Sequence, residues 1–144
     1  MFTRKTMNTQ KFLLATAAAF ATLFVINSLW YGVIFKDWFM EHMNAPSDEN
    51  IPMHAFAELC YALLLAWIYP LGYKSGSSMS QGIKFGLLMG LIYSLPGSIH
   101  HYASMSGSWE IPCFFIANGI LVSVAAGIVI ALVYGAKSST PAAS

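Results

Sequence analysis

Apolar residues run along the chain in four long blocks that are separated by short polar stretches. The blocks cover residues 12–35, 52–73, 82–102 and 112–134, and each has the ~20 residues that a helix needs to cross the hydrocarbon core of a bilayer. Continuous apolar runs favour helices over strands, because an open strand edge would leave backbone groups unpaired in lipid. The pattern predicts an all-α integral membrane bundle of four transmembrane helices, with residues 1–144 forming a single domain.

The first block admits a second interpretation. Arg4, Lys5 and Lys11, followed by FLLATAAAFATLF, resemble the basic and apolar regions of a secretory signal. The apolar run, however, continues past Ala19 to Phe35, beyond the ~7–15 residues of a signal core. We therefore interpret it as a retained first helix.

The composition narrows the class of protein further. Hydrophobic residues make up 57% of the chain and charged residues 9%, whereas charged residues make up about a quarter of an ordinary soluble domain. The formal net charge is +1, and Lys and Arg form no stripe beyond the helix ends, which argues against a nucleic-acid partner. The lipid bilayer is the partner that this composition predicts.

The placement of charge predicts the orientation of the bundle. Six of the seven basic residues fall on one side of the four predicted spans: Arg4, Lys5, Lys11, Lys74, Lys84 and Lys137. The other side receives Asp37, Glu41, Asp48, Glu49 and Glu110. Because cytoplasmic loops carry the excess of Lys and Arg, both termini are predicted to be cytoplasmic.

Small residues recur every four positions on two of the predicted helices. They are Gly82, Gly86 and Gly90 on the third helix, and Gly119, Ser123 and Gly127 on the fourth. Rows of this kind allow helix backbones to approach closely in membranes. The two rows either pack against each other or let one helix face a second copy in a homodimer.

An ionisable pair interrupts the second apolar block, where His54 and Glu58 lie one helical turn apart. A charged side chain on the lipid face costs about 2.5–3.5 kcal/mol at the bilayer centre, so Glu58 is expected to face inward and to need a partner. His54 is within reach on the same helix. Polar residues of all four helices are predicted at this level of the outer leaflet, and the candidate site comprises Asn27, His54, Glu58, His100, His101, Glu110 and Asn118.

Three roles for this cluster remain open at the level of sequence. It can be an interhelical hydrogen bond that holds the bundle together, a proton-linked or small-molecule pocket, or a metal or haem site. The spacing H-x-x-x-E is common by chance and lacks a signature such as H-E-x-x-H, and nothing marks axial histidines on facing helices. We therefore expect no metal, no cofactor and no catalytic residue.

Two stretches carry a resemblance to a known group of proteins. SLWYGVIF at the end of the first helix and YPLGYKSGSSMSQGIKFGLLMGLIY across the second loop, together with the four-helix plan, resemble small bacterial inner-membrane proteins grouped as domains of unknown function. The resemblance implies a multi-pass location in the bacterial inner membrane and no catalytic residue. Its motif residues are Trp30, Tyr31 and Gly32. The two aromatic residues are also typical of an anchor at the membrane interface, and the glycine is typical of close helix packing.

Two functions from different classes follow. The chain is either a non-enzymatic structural or accessory membrane module that packs against itself or a larger membrane complex, or a small permease or binding protein. In the second case an ion, a proton or a small polar molecule would enter through the outer His/Glu pocket. An enzyme is not expected.

Overall fold

The computed structural model describes residues 8–43, 50–73, 79–104 and 107–135, which are almost all helical with no strand among them. Its elements are α1 (Thr9–Leu29), a π-helical turn (Trp30–Ile34), α2 (Lys36–Met43), α3 (Ile51–Gly72), α4 (Met79–Ser104) and α5 (Glu110–Gly135). Several charged residues behind the predicted orientation lie outside the described residues, namely Arg4, Lys5, Asp48, Glu49, Lys74 and Lys137.

Four helices have the length and apolar character to cross a membrane: α1 with its π-helical turn, α3, α4 and α5. The predicted all-α fold with four long apolar helices is thereby confirmed. The helix α2 is an addition, since the sequence pattern places its charged residues in a connecting loop. It begins directly after Phe35, where the backbone leaves helical geometry (φ −117°, ψ 20°).

Local signals explain where the long helices begin. The Asn8 side chain accepts a hydrogen bond from the backbone N–H of Lys11 (3.2 Å), and Asn50 accepts one from Met53 (3.1 Å). Both are N-caps, which satisfy a first-turn donor that has no partner within the helix. Pro52 stands in the first turn of α3, where its missing N–H costs nothing.

Consecutive long helices run antiparallel, as side-chain contacts at both ends of the bundle show. At the end that carries α2, here called the α2 end, Asn27 of α1 bonds to Glu58 near the start of α3. At the opposite end, the Lys11 ammonium donates to the carbonyl of Tyr134 near the end of α5 (3.1 Å), and the Tyr134 hydroxyl donates to the carbonyl of Ala66 on α3 (2.9 Å).

The most extensive packing in the bundle joins α4 and α5. A Cβ atom added to Gly82 would lie 2.6 Å from the carbonyl oxygen of Gly127, and one added to Gly90 would lie 2.9 Å from that of Gly119. A Cβ on Gly86 would meet the backbone of Ser123. The structure thus brings the two rows of small residues together within one chain, and we call this contact the glycine seam.

The helices α3 and α4 approach each other less closely. Their contact depends on large side chains: the rings of Tyr61 and Tyr93 stack at 4.6 Å, and those of Tyr69 and Phe85 meet edge to face at 5.1 Å. An open, apolar groove of about 330 Å³ lies between the two helices, lined by Ala57, Cys60, Tyr61, Leu64, Met89, Ile92 and Tyr93.

Candidate functional site

Glu58 lies on the second turn of α3 and is half-buried. Its Oε1 accepts a hydrogen bond from the side-chain amide of Asn27 on α1 (2.8 Å). Both residues lie within the apolar spans, where a carboxyl group facing lipid would be costly. The bond therefore gives the acidic residue a polar partner on a neighbouring helix.

The hydrogen bonding continues from Asn27 to a third helix. The amide nitrogen of Asn118 on α5 donates to Asn27 Oδ1 (3.0 Å) and also to the hydroxyl of Tyr31 (3.0 Å). Asn118 itself is buried, with 6% of its surface exposed. We call Asn27, Tyr31, Glu58 and Asn118 the polar network, and it joins α1, α3 and α5.

The π-helical turn helps to place the network. Its hydrogen bond from the Phe35 N–H to the Trp30 carbonyl (2.9 Å) spans five residues instead of four, and such turns are rare and frequently lie at functional sites. Tyr31 stands in this turn, one turn beyond Asn27, so both side chains reach Asn118.

Aromatic rings pack between the network and the helix α2. Phe114 lies one turn before Asn118 on α5, and its ring centroid is 5.5 Å from Trp30, 5.8 Å from Tyr31 and 4.4 Å from Trp38. Phe35 and Phe39 also contact Phe114. The helix α2 thus contributes aromatic side chains to the packing beside the network.

Three polar atoms at or beside the network are buried and have no hydrogen-bond partner within the described part of the chain: Glu58 Oε2, Asn118 Oδ1 and Trp30 Nε1. A buried polar atom without a partner costs about 1–3 kcal/mol, so most native proteins keep few of them. The network therefore retains two free acceptors, and Trp30 beside it retains one free donor. Thr16 Oγ1, toward the other end of α1, is in the same condition.

The predicted histidine partners lie elsewhere. His54 and His100 are exposed and His101 is half-buried, and over residues 8–43, 50–73, 79–104 and 107–135 none of them hydrogen-bonds to Glu58. His54 retains an electrostatic interaction with Glu58. The expectation of a histidine partner is replaced by Asn27, because the packing of α1 against α3 turns Glu58 toward α1.

Glu110 is also outside the network. Its carboxylate is 68% exposed and lies 4.0 Å from Nε2 of His42 on α2. The other ring nitrogen of His42, Nδ1, donates to the carbonyl of Trp38 (2.8 Å), and the His42 ring stacks on Trp38 at 4.4 Å. The contact between His42 and Glu110 forms an ion pair when the imidazole is protonated, and it links α2 to the start of α5.

The motif residues behave differently from one another. Trp30 and Tyr31 both belong to the aromatic packing, and Tyr31 also belongs to the network, whereas a Cβ on Gly32 would meet no atom within 4 Å. The close packing expected at Gly32 is therefore not present among the described residues. Within the same residues, no three His, Cys, Asp or Glu side chains form a group that could hold a metal ion.

Two contributors to the bundle had no signal in the sequence. The hydroxyls of Tyr61 on α3 and Ser123 on α5 share a hydrogen bond of 2.8 Å, and His42 contacts Glu110. Tyrosine in an apolar helix is ordinary, and a histidine in a polar stretch predicts no particular partner. Only the three-dimensional arrangement of the helices reveals these pairs.

Comparison of the chain with protein-family models, with curated proteins and with solved structures finds no match. The resemblance to small bacterial inner-membrane proteins of unknown function therefore stays a prediction. The geometry of the polar network carries the functional argument.

Proposed function

We propose that this protein is a non-enzymatic, multi-pass membrane module in which the polar network holds three helices together at the α2 end. The observation that carries the proposal is the chain of hydrogen bonds from Glu58 through Asn27 to Asn118. Each bond crosses from one helix to another, as expected of polar side chains that act as glue between membrane helices. Such a module lies in the lipid bilayer, where it acts as a monomer, as a homodimer or as part of a larger membrane complex.

The proposed location is the bacterial inner membrane, with both termini in the cytoplasm. The excess of lysine and arginine on one side of the spans supports this orientation. Reporter fusions at Ser144 and at Glu49 test it. We expect a cytoplasmic signal from the first and an external signal from the second, and an external C-terminus would contradict the orientation.

A second candidate function is a small permease or binding protein for a proton, an ion or a small polar molecule. It is favoured by the buried, unpartnered atoms Glu58 Oε2 and Asn118 Oδ1, which could accept a hydrogen bond or contact a cation. Under this alternative the site contains Glu58 and the asparagines, and the exposed His54 and His100 stand outside it.

Substitutions of Glu58 separate the two functions. Glu58→Gln retains an oxygen that can accept the Asn27 hydrogen bond, whereas Glu58→Leu removes it and leaves a buried amide donor without a partner. For a structural network, we expect Glu58→Gln to keep wild-type stability and Glu58→Leu to lose about 1–2 kcal/mol. His54→Gln is the matched control on the exposed face of the same helix.

The measurement is paired. Unfolding in detergent reports stability, and a growth or uptake phenotype of cells that lack the protein reports function. A folded Glu58→Gln variant with the wild-type phenotype supports the module. The same folded variant with a lost phenotype would support the permease, since glutamine cannot bind or release a proton in this way.

A further inference from the structure

Between Asn118 and Glu58, the hydrogen bonds of the polar network run in one direction. Asn118 donates to Asn27, and Asn27 donates to Glu58 Oε1. At the other end, the Asn118 amide also donates to Tyr31, whose hydroxyl therefore acts as an acceptor. Glu58 is the terminal acceptor of the chain, and this assignment suits a carboxylate, which accepts hydrogen bonds and donates none.

A proton on Glu58 changes which donors and acceptors of the network can form hydrogen bonds. On Oε2, the proton would be a buried donor, and that atom has no acceptor within the described part of the chain. On Oε1, the proton would point at the amide nitrogen of Asn27, 2.8 Å away, which is itself a donor. The present direction therefore fits the protonated residue poorly.

The reverse direction fits the protonated residue well. A half-turn of the Asn27 side-chain amide would place its oxygen against Glu58, where it accepts the carboxyl proton, and its nitrogen toward Asn118. A half-turn of the Asn118 amide would then bring Oδ1, now without a partner, to the position that accepts from both Asn27 and Tyr31. Since amide oxygen and nitrogen have nearly the same shape, both directions fit the same helix packing.

We infer that Glu58 is a proton-binding site and that its occupancy sets the direction of the whole network. The carboxylate holds Asn27 and Asn118 as donors toward Glu58. The carboxylic acid reverses both amides and turns the Tyr31 hydroxyl from an acceptor into a donor. Protonation of Glu58 on α3 thus changes hydrogen bonds on α1 and α5 as far as the π-helical turn. The three hydrogen bonds of the network are exchanged for three others with donor and acceptor reversed.

This inference rests on the interhelical role proposed above for the same network. The groups around Glu58 define its controls. On its own helix, His54 is the titratable neighbour and interacts with it electrostatically. On α1, Glu58 contacts the neutral Asn27, which bonds in turn to the neutral Asn118 on α5. Tyr31, which bonds to Asn118, is the titratable group at the end of the network away from Glu58. A response that comes from His54 must therefore be distinguished from one that starts at Glu58.

The test follows the asparagine side chains as the pH changes. Protein labelled with ¹⁵N at asparagine is titrated in detergent micelles, and the side-chain amide resonances are assigned with Asn27→Ala and Asn118→Ala. In parallel, infrared difference spectra follow the carboxylic acid C=O band, assigned to Glu58 by its loss in Glu58→Gln. We expect the resonances of Asn27 and Asn118 to shift with the same midpoint as this band.

Three variants make the expectation specific. In Glu58→Gln, neither asparagine should shift. In Asn27→Ala, the Glu58 band should still titrate while Asn118 no longer follows it, because the connecting amide is gone. In His54→Gln, the two asparagines and Glu58 should still titrate together, even if their common midpoint moves.

Several results would overturn the inference: a Glu58 band that does not change with pH, Asn118 resonances that stay constant through the Glu58 transition, or shared titration that disappears in His54→Gln. If Asn27→Ala fails to fold, the wild-type titration alone decides. Unfolding of the same variants reports the interhelical role separately. A stability loss in Asn27→Ala without shared titration overturns the switch alone, and unchanged stability of Asn27→Ala overturns the proposed interhelical role.

Discussion

The helix α5 is held in the bundle by two faces that work in different ways. Toward α4 it presents the glycine seam, where backbone meets backbone and a Cβ on Gly82 would lie 2.6 Å from Gly127. Toward α1 it presents Asn118, which is held by directed hydrogen bonds to Asn27 and Tyr31. One face excludes side chains and the other depends on them.

The two faces of α5 supply different properties. Close backbone approach maximises dispersion contacts in lipid, where apolar burial offers no driving force between helices. Hydrogen bonds between membrane helices contribute on average about 0.6 kcal/mol and at most about 1.7 kcal/mol, but they are directional. We therefore expect the glycine seam to dominate stability, and the network to determine the register and rotation of α1 and α3 against α5.

The largest effect is expected at the seam. In Gly86→Leu the new side chain would collide with the backbone of Ser123 and Val124, which cannot move aside without separating two helices. We expect a loss of at least about 3 kcal/mol, in the range of severe overpacking, or failure to fold. Unfolding in detergent together with size-exclusion chromatography measures it.

Gly97→Leu is the control on the same helix, because a Cβ at Gly97 would meet nothing within 4 Å. It should unfold like wild type. Equal stability of the two variants would show that α4 does not pack on α5 through this row. The glycine seam would then not be the face of α5 that dominates stability.

A moderate effect is expected where the two faces meet. Tyr61 of α3 reaches across to Ser123, a member of the small-residue row of α5, with a hydroxyl–hydroxyl distance of 2.8 Å. Tyr61→Phe keeps the ring and removes the bond, so the loss should be about 0.6 kcal/mol. Tyr93→Phe, which alters the exposed ring stacked on Tyr61, is the matched control and should leave stability unchanged.

The smallest effect is expected at α2. His42→Ala removes the stacking on Trp38 and the contact with Glu110, and many exposed ion pairs contribute nothing measurable to stability. Hydrogen exchange should become faster for the amides of α2 and stay unchanged in the middle of α5. Faster exchange at Asn118 would show that α2 supports the network more strongly than its contacts indicate.

Much of the fold follows from simple properties of the chain. Four apolar blocks of sufficient length predict four long helices, and a spacing of four residues from Gly82 to Gly90 identifies a face that can approach another backbone. The helix α2 escapes such reasoning, because its eight residues carry several charges and its aromatic rings pack on Phe114, a residue far away in sequence. The π-helical turn escapes as well, since it interrupts no apolar pattern.

The site could be predicted only in part. The cost of a carboxyl group in lipid indicates that Glu58 needs a polar partner, and the level of Asn27 and Asn118 in their helices places them nearby. Which partner Glu58 meets depends on how α1 and α3 are rotated about their axes. Counting along α3 favours His54 at i−4, yet that histidine is exposed, and the bond goes to Asn27.

A double-mutant cycle measures whether the network joins α1 to α5 through Asn27 and Asn118. Unfolding in detergent is measured for wild type, Asn27→Ala, Asn118→Ala and the double variant. We predict a coupling free energy of about 0.6–1.7 kcal/mol. The control cycle of Asn27→Ala with Tyr134→Phe, at opposite ends of the bundle, should be additive within about 0.5 kcal/mol. A coupling between the two asparagines no larger than that of the control would contradict the account.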